Sequence, residues 1–169
     1  MIMDTLVIIS ITMLFCYTLT LCVVNRGIPS SLSATVYALP PAGAWLWTLV
    51  IGAASVMTMP VLLERAPENY KFLGYLTIVG LLFVALCPLN KKKDDMTYRA
   101  HVAGAIICGV SSQLLVAITC AWLLLAWVPW IVAFVWITAC RMWKTSVFWA
   151  EMTCFADTFA LILTYTVLW

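Results

Sequence analysis

Charged residues are scarce in this chain. Only 9% of its 169 residues are Asp, Glu, Lys or Arg, whereas 65% are apolar. A water-soluble domain has roughly 25% charged residues because its surface must face water. The composition therefore excludes an ordinary soluble domain and favours side chains that face lipid. Its nine basic residues lie in short connections, which also excludes the basic stripe of a nucleic-acid-binding protein.

Motifs for metal, redox or covalent chemistry are missing as well. His101 is the sole histidine, and zinc usually takes three or four N, S or O ligands. The seven cysteines lie in apolar runs without a CxxC pair, and we interpret them as small hydrophobic residues. We predict no metal and no cofactor. The lack of a nucleophile motif or a phosphate-binding glycine loop argues against an enzyme without excluding one.

A cleavable signal peptide is not expected either. The N-terminus runs from Met1 through Asp4 directly into a long apolar segment. It has no basic region and no obvious cleavage site of small residues. We therefore predict that the first segment stays in the protein as a helix.

Long apolar runs dominate what is present. A helix needs about 20 apolar residues to cross a bilayer core of about 30 Å. The region 100–140 is too long for one crossing, and we predict a tight turn near Pro129, because proline suits the first turn of a helix. Without that turn the count is five. We otherwise predict an all-α polytopic membrane bundle, one transmembrane domain over residues 1–169, with six spans at about 5–24, 44–63, 72–89, 100–122, 127–141 and 146–168.

Basic residues predict how the bundle is oriented. Cytoplasmic connections carry an excess of Lys and Arg. Under a six-span topology, the first, third and fifth connections hold seven basic residues and the other two hold two. This distribution places the odd connections in the cytoplasm and both termini outside.

Three ionisable residues lie within predicted spans, and such residues are functional candidates because their burial in hydrocarbon is costly. They are His101, Glu151 and Asp157. Asp157 falls near the midplane, at the depth of Gln113. We expect spans four and six to pack together, His101 to pair with Glu151, and Asp157 to pair with Gln113 or Ser112. A stripe of span four should face protein because it includes small residues that admit a neighbouring helix: His101, Gly104, Ala105, Cys108 and Ser112.

Two interpretations of Asp157 stay open. Burial disfavours the charged form of a carboxyl group, so Asp157 could exchange a proton during transport. Alternatively, it stays protonated and only hydrogen-bonds a neighbouring helix or Thr153. For His101 the alternative is a location at the membrane interface without a chemical role.

The connection after the first span is long for so compact a chain. It runs from Gly27 to Gly43 and contains several hydroxyl side chains. Long ordered loops are often functional, and this one could hold a lipid phosphate; equally, it could be an interfacial helix. The candidate residues for lipid headgroup contact are Arg26, Ser31, Ser33 and Tyr37.

Three stretches carry a resemblance: GIPSSLSATVY after the first span, LCPL, and YRAHVAGA leading into the fourth. They resemble stretches of small bacterial integral membrane proteins of uncharacterised function. The resemblance implies a protein of the bacterial inner membrane and marks Ser31, Ser33, Tyr37 and His101 as positions of interest. It implies no activity or substrate.

Three classes of function fit these features. The first is a small transporter or channel for a solute or ion, linked to protons through Asp157. The second is an accessory, assembly or membrane-effector protein that works by contact with partners. The third is a lipid-modifying enzyme using His101, Glu151 and the serine-containing loop. Membrane lipids are the expected partners, and a homo-oligomer or another membrane protein is compatible with the small-residue stripes.

Overall fold

The computed structural model describes residues 2–40, 43–86, 96–139 and 143–167. Within these ranges the regular structure is all helical, as predicted. Short 3₁₀ helices at Ser33–Ala38, Glu68–Tyr70, Ala121–Ala126 and Trp143–Thr145 connect the main helices. The six α-helices are α1 (Ile2–Val24), α2 (Trp45–Arg65), α3 (Lys71–Ala85), α4 (Met96–Cys120), α5 (Trp127–Ala139) and α6 (Ser146–Val167).

Length and composition make four helical segments able to cross a membrane. Among the described residues these are Thr5–Val24, Trp45–Arg65, Met96–Trp136 and Ser146–Thr164. The predicted span ends at 89, 141 and 168 lie outside the described residues, as do Lys91, Lys92 and Lys93. The outward faces of the helices carry large apolar side chains, such as Leu49 at 67% and Trp136 at 70% exposure. Such continuous apolar surface is typical of contact with lipid.

Helices α3 and α4 form the closest pair in the bundle. They cross where Gly80 faces Gly104: a Cβ added to Gly80 would lie 2.6 Å from the Gly104 carbonyl oxygen. A Cβ added to Gly104 would lie 2.5 Å from the Phe83 Cβ. Small residues allow the backbones of neighbouring helices to approach in this way. The predicted protein-facing stripe of span four is confirmed here, because His101, Gly104 and Ser112 are buried.

The end of α3 is closed by side chains from its neighbours. The last carbonyls of a helix lack partners within the helix. The Trp47 indole N–H donates to the Val84 carbonyl at 3.0 Å, and the Thr48 hydroxyl donates to the Ala85 carbonyl at 2.7 Å. These contacts fix the start of α2 against the end of α3.

The chain folds back after α4. Cys120 leaves the helical conformation, with φ −153° and ψ 68°. The Trp127 indole then donates to Gln113 Oε1 at 2.7 Å. Fourteen residues of continuous helix would separate these side chains by about 21 Å. The predicted turn is therefore present: it occupies Ala121–Ala126, ahead of the span predicted to begin at residue 127, and Pro129 lies in the first turn of α5.

Buried apolar residues form two clusters. One contains Tyr17, Leu32 and Trp47, and the other contains Leu62 and Leu161. The space between them is not completely filled.

Candidate functional site

A cavity of about 240 Å³ lies between helices α2, α3, α4 and α6, with Leu32 of the first connection in its wall. Most of its lining is apolar. For comparison, an apolar cavity of about 150 Å³ holds a benzene molecule. The cavity is therefore large enough for a ligand with an apolar body somewhat larger than one aromatic ring.

One end of the cavity reaches the surface of the bundle. Val147 contributes to the lining and is 54% exposed. It lies in the first turn of α6. The cavity wall thus extends to the surface of the bundle beside the start of α6.

Hydroxyl side chains in the cavity wall donate to carbonyls of their own helices. Ser and Thr side chains commonly form such bonds within helices. The contacts are Thr58 to Ala54 at 2.7 Å, Thr77 to Leu73 at 2.8 Å, Ser112 to Gly109 at 3.1 Å and Thr158 to Cys154 at 2.8 Å. Each hydroxyl group has a single proton, and that proton is used in these bonds. The hydroxyl oxygens can therefore accept hydrogen bonds from a ligand, but the hydroxyl groups have no free proton to donate to it.

Glu151 places a carboxyl group in this wall. Among the described residues that line the cavity it is the sole acidic one, and no Lys, Arg or His accompanies it. Its Oε2 atom accepts a hydrogen bond from the Leu32 backbone N–H at 2.6 Å. A backbone N–H donating to a carboxylate is a charge-assisted bond, and such bonds are stronger than neutral ones.

Local structure explains why the Leu32 N–H points at α6. Leu32 begins the 3₁₀ helix Ser33–Ala38, and its side chain is 1% exposed. The Ser31 hydroxyl accepts from the Ala34 N–H at 3.1 Å, at the start of this short helix. Thr35 is bonded to Tyr17 of α1 at 3.3 Å. The loop is thereby fixed to α1 on one side and to α6 on the other.

A second contact joins the same loop to α6. The Phe148 N–H, in the first turn of α6, donates to the Ser30 carbonyl at 3.2 Å. The first N–H groups of a helix have no partner within the helix. The loop supplies one here, so the first two turns of α6 are held by Ser30 and Leu32.

The candidate lipid-headgroup residues lie along this connection. The Ser31 and Ser33 hydroxyls are 3.2 Å apart, so they interact with each other. Tyr37 lies in the 3₁₀ helix, and its side chain is outside the described part of the chain. Arg26 is exposed and has a positive φ of 52°. The Ser31 hydroxyl is thus hydrogen-bonded to the backbone of its own loop. Contact of these residues with lipid headgroups stays a prediction.

The predicted pairing of His101 with Glu151 is wrong. His101 Nδ1 lies 3.3 Å from the Val84 carbonyl oxygen, and Glu151 is bound by Leu32. Since α4 packs closely on α3, His101 meets a carbonyl group at the end of α3. The arrangement expected for a lipid-modifying enzyme thus forms only in part: Glu151 meets the serine-containing loop, and His101 does not join them.

Asp157 belongs to a separate polar cluster. It is 1% exposed, and its Oδ2 atom has no hydrogen-bond partner among the described residues. The Trp127 indole that donates to Gln113 also interacts with the Asp157 carboxyl group. Gln113 Nε2 in turn lies 3.4 Å from the Cys154 carbonyl oxygen. Helices α4 and α6 do pack together, as expected, but Trp127 mediates the contact between Asp157 and Gln113.

Sequence reasoning missed two parts of this site. Trp127 was not among the candidate residues, because no pattern in the sequence places its indole beside Gln113 and Asp157. Cys108 and Cys154 line the cavity, although both were interpreted as packing residues. Asp157 and His101 do not line it, and Ser112 and Glu151 do. In the described ranges no three His, Cys, Asp or Glu side chains come together as a metal site.

No protein-family model matches the chain, and no curated protein or solved structure is significantly similar to it.

Proposed function

We propose that this chain is a multi-pass protein of the bacterial inner membrane that carries a small solute across the bilayer, coupled to proton exchange at Glu151. The observation behind this proposal is a largely apolar cavity with one carboxyl group in its wall. A protein that works through partner contacts alone has no need of such a cavity. Asp157, the residue expected from the sequence to exchange a proton, lies outside the cavity lining. We therefore assign proton exchange to Glu151.

Six crossings, with both termini outside, form part of the proposal. The Ser30–Phe148 contact supports this topology, because it joins the first connection to the start of α6. Both must then lie on the same side of the membrane, which requires an even number of crossings between them. Four crossings, by α2, α3, α4 and α5, satisfy that condition, as two crossings would, whereas three would not.

The fold-back after α4 explains how the short α5 contributes a crossing. At 13 residues, α5 is about 20 Å long, which is less than the bilayer core. However, Trp127 lies beside Gln113, seven residues before the end of α4. A helix that begins at this depth has less of the bilayer left to cross.

The chemistry of the proposed coupling is a competition for one buried carboxylate. A charged group in hydrocarbon is costly unless another group neutralises it. The Leu32 N–H offsets part of this cost. When the cavity is empty, a proton can neutralise the Glu151 carboxylate and remove the rest of this cost. A solute that binds Glu151 would release that proton. Return of the proton would then release the solute.

Flux measurements in proteoliposomes test the proposal. Vesicles containing the protein and a pH-sensitive dye would be exposed to separate panels of small organic cations, zwitterions and sugars. We expect one class to cause proton movement with the wild-type protein and not with Glu151→Gln. Asp157→Asn is the matched control, since it changes a buried acid of the same helix outside the cavity, and it should retain the flux. The proposal would be refuted if proton movement persisted in Glu151→Gln. It would also be refuted if no class of solute caused proton movement with the wild-type protein.

A further inference from the structure

We infer that the cavity selects a small lipophilic organic monocation, of the quaternary or tertiary ammonium type. This inference rests on the proposed function, because the same cavity and the same carboxyl group carry both. It adds the chemical class of the solute. Three independent features of the wall support it: charge, hydrogen-bonding groups and aromatic surface.

The charge of the wall excludes anions. Glu151 is the one ionisable acid in the described lining, and no basic side chain accompanies it. An anionic solute would place two like charges together at low dielectric, which is strongly unfavourable. A monocation would instead neutralise the carboxylate as it displaces the proton. The exchange balances, since one positive charge enters the cavity and one proton leaves.

The hydroxyl and indole groups of the wall offer no free donor to a polar neutral solute, so the protonated Glu151 carboxyl group is the one strong donor that such a solute would meet. A sugar or an amide needs donors for its oxygen atoms as well as acceptors for its protons. The hydroxyl protons of Thr58, Thr77, Ser112 and Thr158 are already engaged by helix carbonyls. The Trp47 indole N–H is engaged by Val84. Burial of unpaired polar groups would make such solutes bind poorly.

Aromatic side chains give the wall its affinity for an alkylated ammonium. Trp47, Phe155 and Phe159 line the cavity together with Glu151. The rings of Phe155 and Phe159 lie 6.1 Å apart at an interplanar angle of 21°, so they are stacked along one side of α6. Aromatic faces attract cations through the ring quadrupole, and quaternary ammonium groups are recognised in this way.

The size of the cavity limits the solute. By proportion with the benzene-binding cavity of about 150 Å³, it accommodates about ten non-hydrogen atoms. Phenyltrimethylammonium has this size and charge. Its neutral counterpart of equal shape is tert-butylbenzene, and benzenesulfonate is an anion of similar size. The three compounds separate the contribution of charge from that of shape.

Binding measurements on the protein in lipid nanodiscs test the inference. We expect radiolabelled phenyltrimethylammonium to bind with release of one proton. Displacing it should take a more than tenfold higher concentration of tert-butylbenzene or benzenesulfonate than of unlabelled phenyltrimethylammonium. Phe155→Leu should weaken cation binding about tenfold through loss of an aromatic face, while Asp157→Asn should not. Equal binding of the neutral compound would overturn the inference and would indicate a site for apolar chains of lipids.

Failure of this inference is distinguishable from failure of the proposed function. If phenyltrimethylammonium does not bind but zwitterions or sugars cause Glu151-dependent proton flux, the solute class is wrong and the carrier function stands. If no solute class causes proton flux, the function is wrong. Should Glu151→Gln fail to fold, Glu151→Asp keeps the charge and must retain proton release with phenyltrimethylammonium for the inference to hold.

Discussion

The backbone N–H of Leu32 donates to the Glu151 carboxylate at 2.6 Å, joining two residues that are 119 positions apart. This contact ties the loop after α1 to the second turn of α6. It also places a carboxyl group in the wall of the cavity with a fixed orientation. The same loop residue contributes its buried side chain to that wall. A change in the protonation of Glu151 therefore acts on the hydrogen bond that holds this loop in position.

Removal of the Leu32 N–H should destabilise the protein. Leu32 has φ −59°, an angle that proline also adopts, so Leu32→Pro keeps this backbone angle while replacing the N–H with a ring carbon that displaces the Glu151 carboxyl group. We expect a loss of at least about 0.5–1.5 kcal/mol beyond that of Leu32→Ala, the usual range for a hydrogen bond between neutral groups, because Glu151 is protonated when the cavity is empty. Equilibrium unfolding in mixed micelles measures the difference. Equal stability of the two variants would show that the bond contributes nothing.

Substitution at the glycine crossing should be strongly destabilising. In Gly80→Ala the new Cβ would lie 2.6 Å from the Gly104 carbonyl oxygen, so α3 and α4 must separate. Overpacking of this kind costs about 1–3 kcal/mol. Gly52→Ala is the control, because its Cβ meets nothing within 4 Å, and it should stabilise α2 by up to about 1 kcal/mol. Similar unfolding midpoints for both variants would contradict the close approach of α3 and α4.

Arg26 should be replaceable by glycine with a gain in stability. The Gly27 N–H bonds to Cys22 at 3.0 Å and the Arg26 N–H to Val23 at 3.1 Å, a Schellman motif that requires the left-handed conformation at Arg26. That conformation costs a residue with a side chain about 1–2 kcal/mol, so Arg26→Gly should raise the unfolding free energy by up to about 1 kcal/mol. Arg26→Ala keeps the strain and should bring no gain. If alanine stabilises as much as glycine, backbone strain is not the cause.

The Trp127 indole N–H should be required for the polar cluster of Asp157. Trp127→Phe preserves most of the ring but leaves Gln113 Oε1 without its donor. An unsatisfied buried polar group costs about 1–3 kcal/mol. Trp122→Phe serves as the comparison, since Trp122 is 59% exposed, and it should change the unfolding free energy little. A loss of the same size in both variants would point to ring packing instead of the hydrogen bond.

Local signals in the sequence predicted the helices well, and long-range contacts poorly. Apolar runs place the helices because each must present a lipid-facing surface, and the small residues around Gly104 indicate a close neighbour. The turn after α4 follows from the excess length of the apolar region beginning near residue 100. Its position agrees with the predicted gap between residues 122 and 127, although the break at Cys120 carries no signal of its own in the sequence.

The candidate site shows why side-chain chemistry alone misassigns partners. The expected partner of Glu151 was the sole histidine, yet the carboxylate binds a backbone N–H, which every residue except proline possesses. His101 instead approaches Val84, whose carbonyl lacks a partner because α3 ends there. Backbone donors and acceptors at helix ends and loops depend on the fold, so no residue type marks them in advance.

Carbodiimide labelling of the reconstituted protein tests whether proton and solute compete for the Glu151 carboxyl group. An apolar carbodiimide modifies protonated carboxyl groups, and mass spectrometry of peptides locates the adduct. The account predicts modification of Glu151 that phenyltrimethylammonium suppresses and tert-butylbenzene does not, with any adduct at Asp157 unaffected by either compound. Absence of labelling at Glu151, or labelling that the cation leaves unchanged, would contradict a cavity in which proton and solute compete for this carboxyl group.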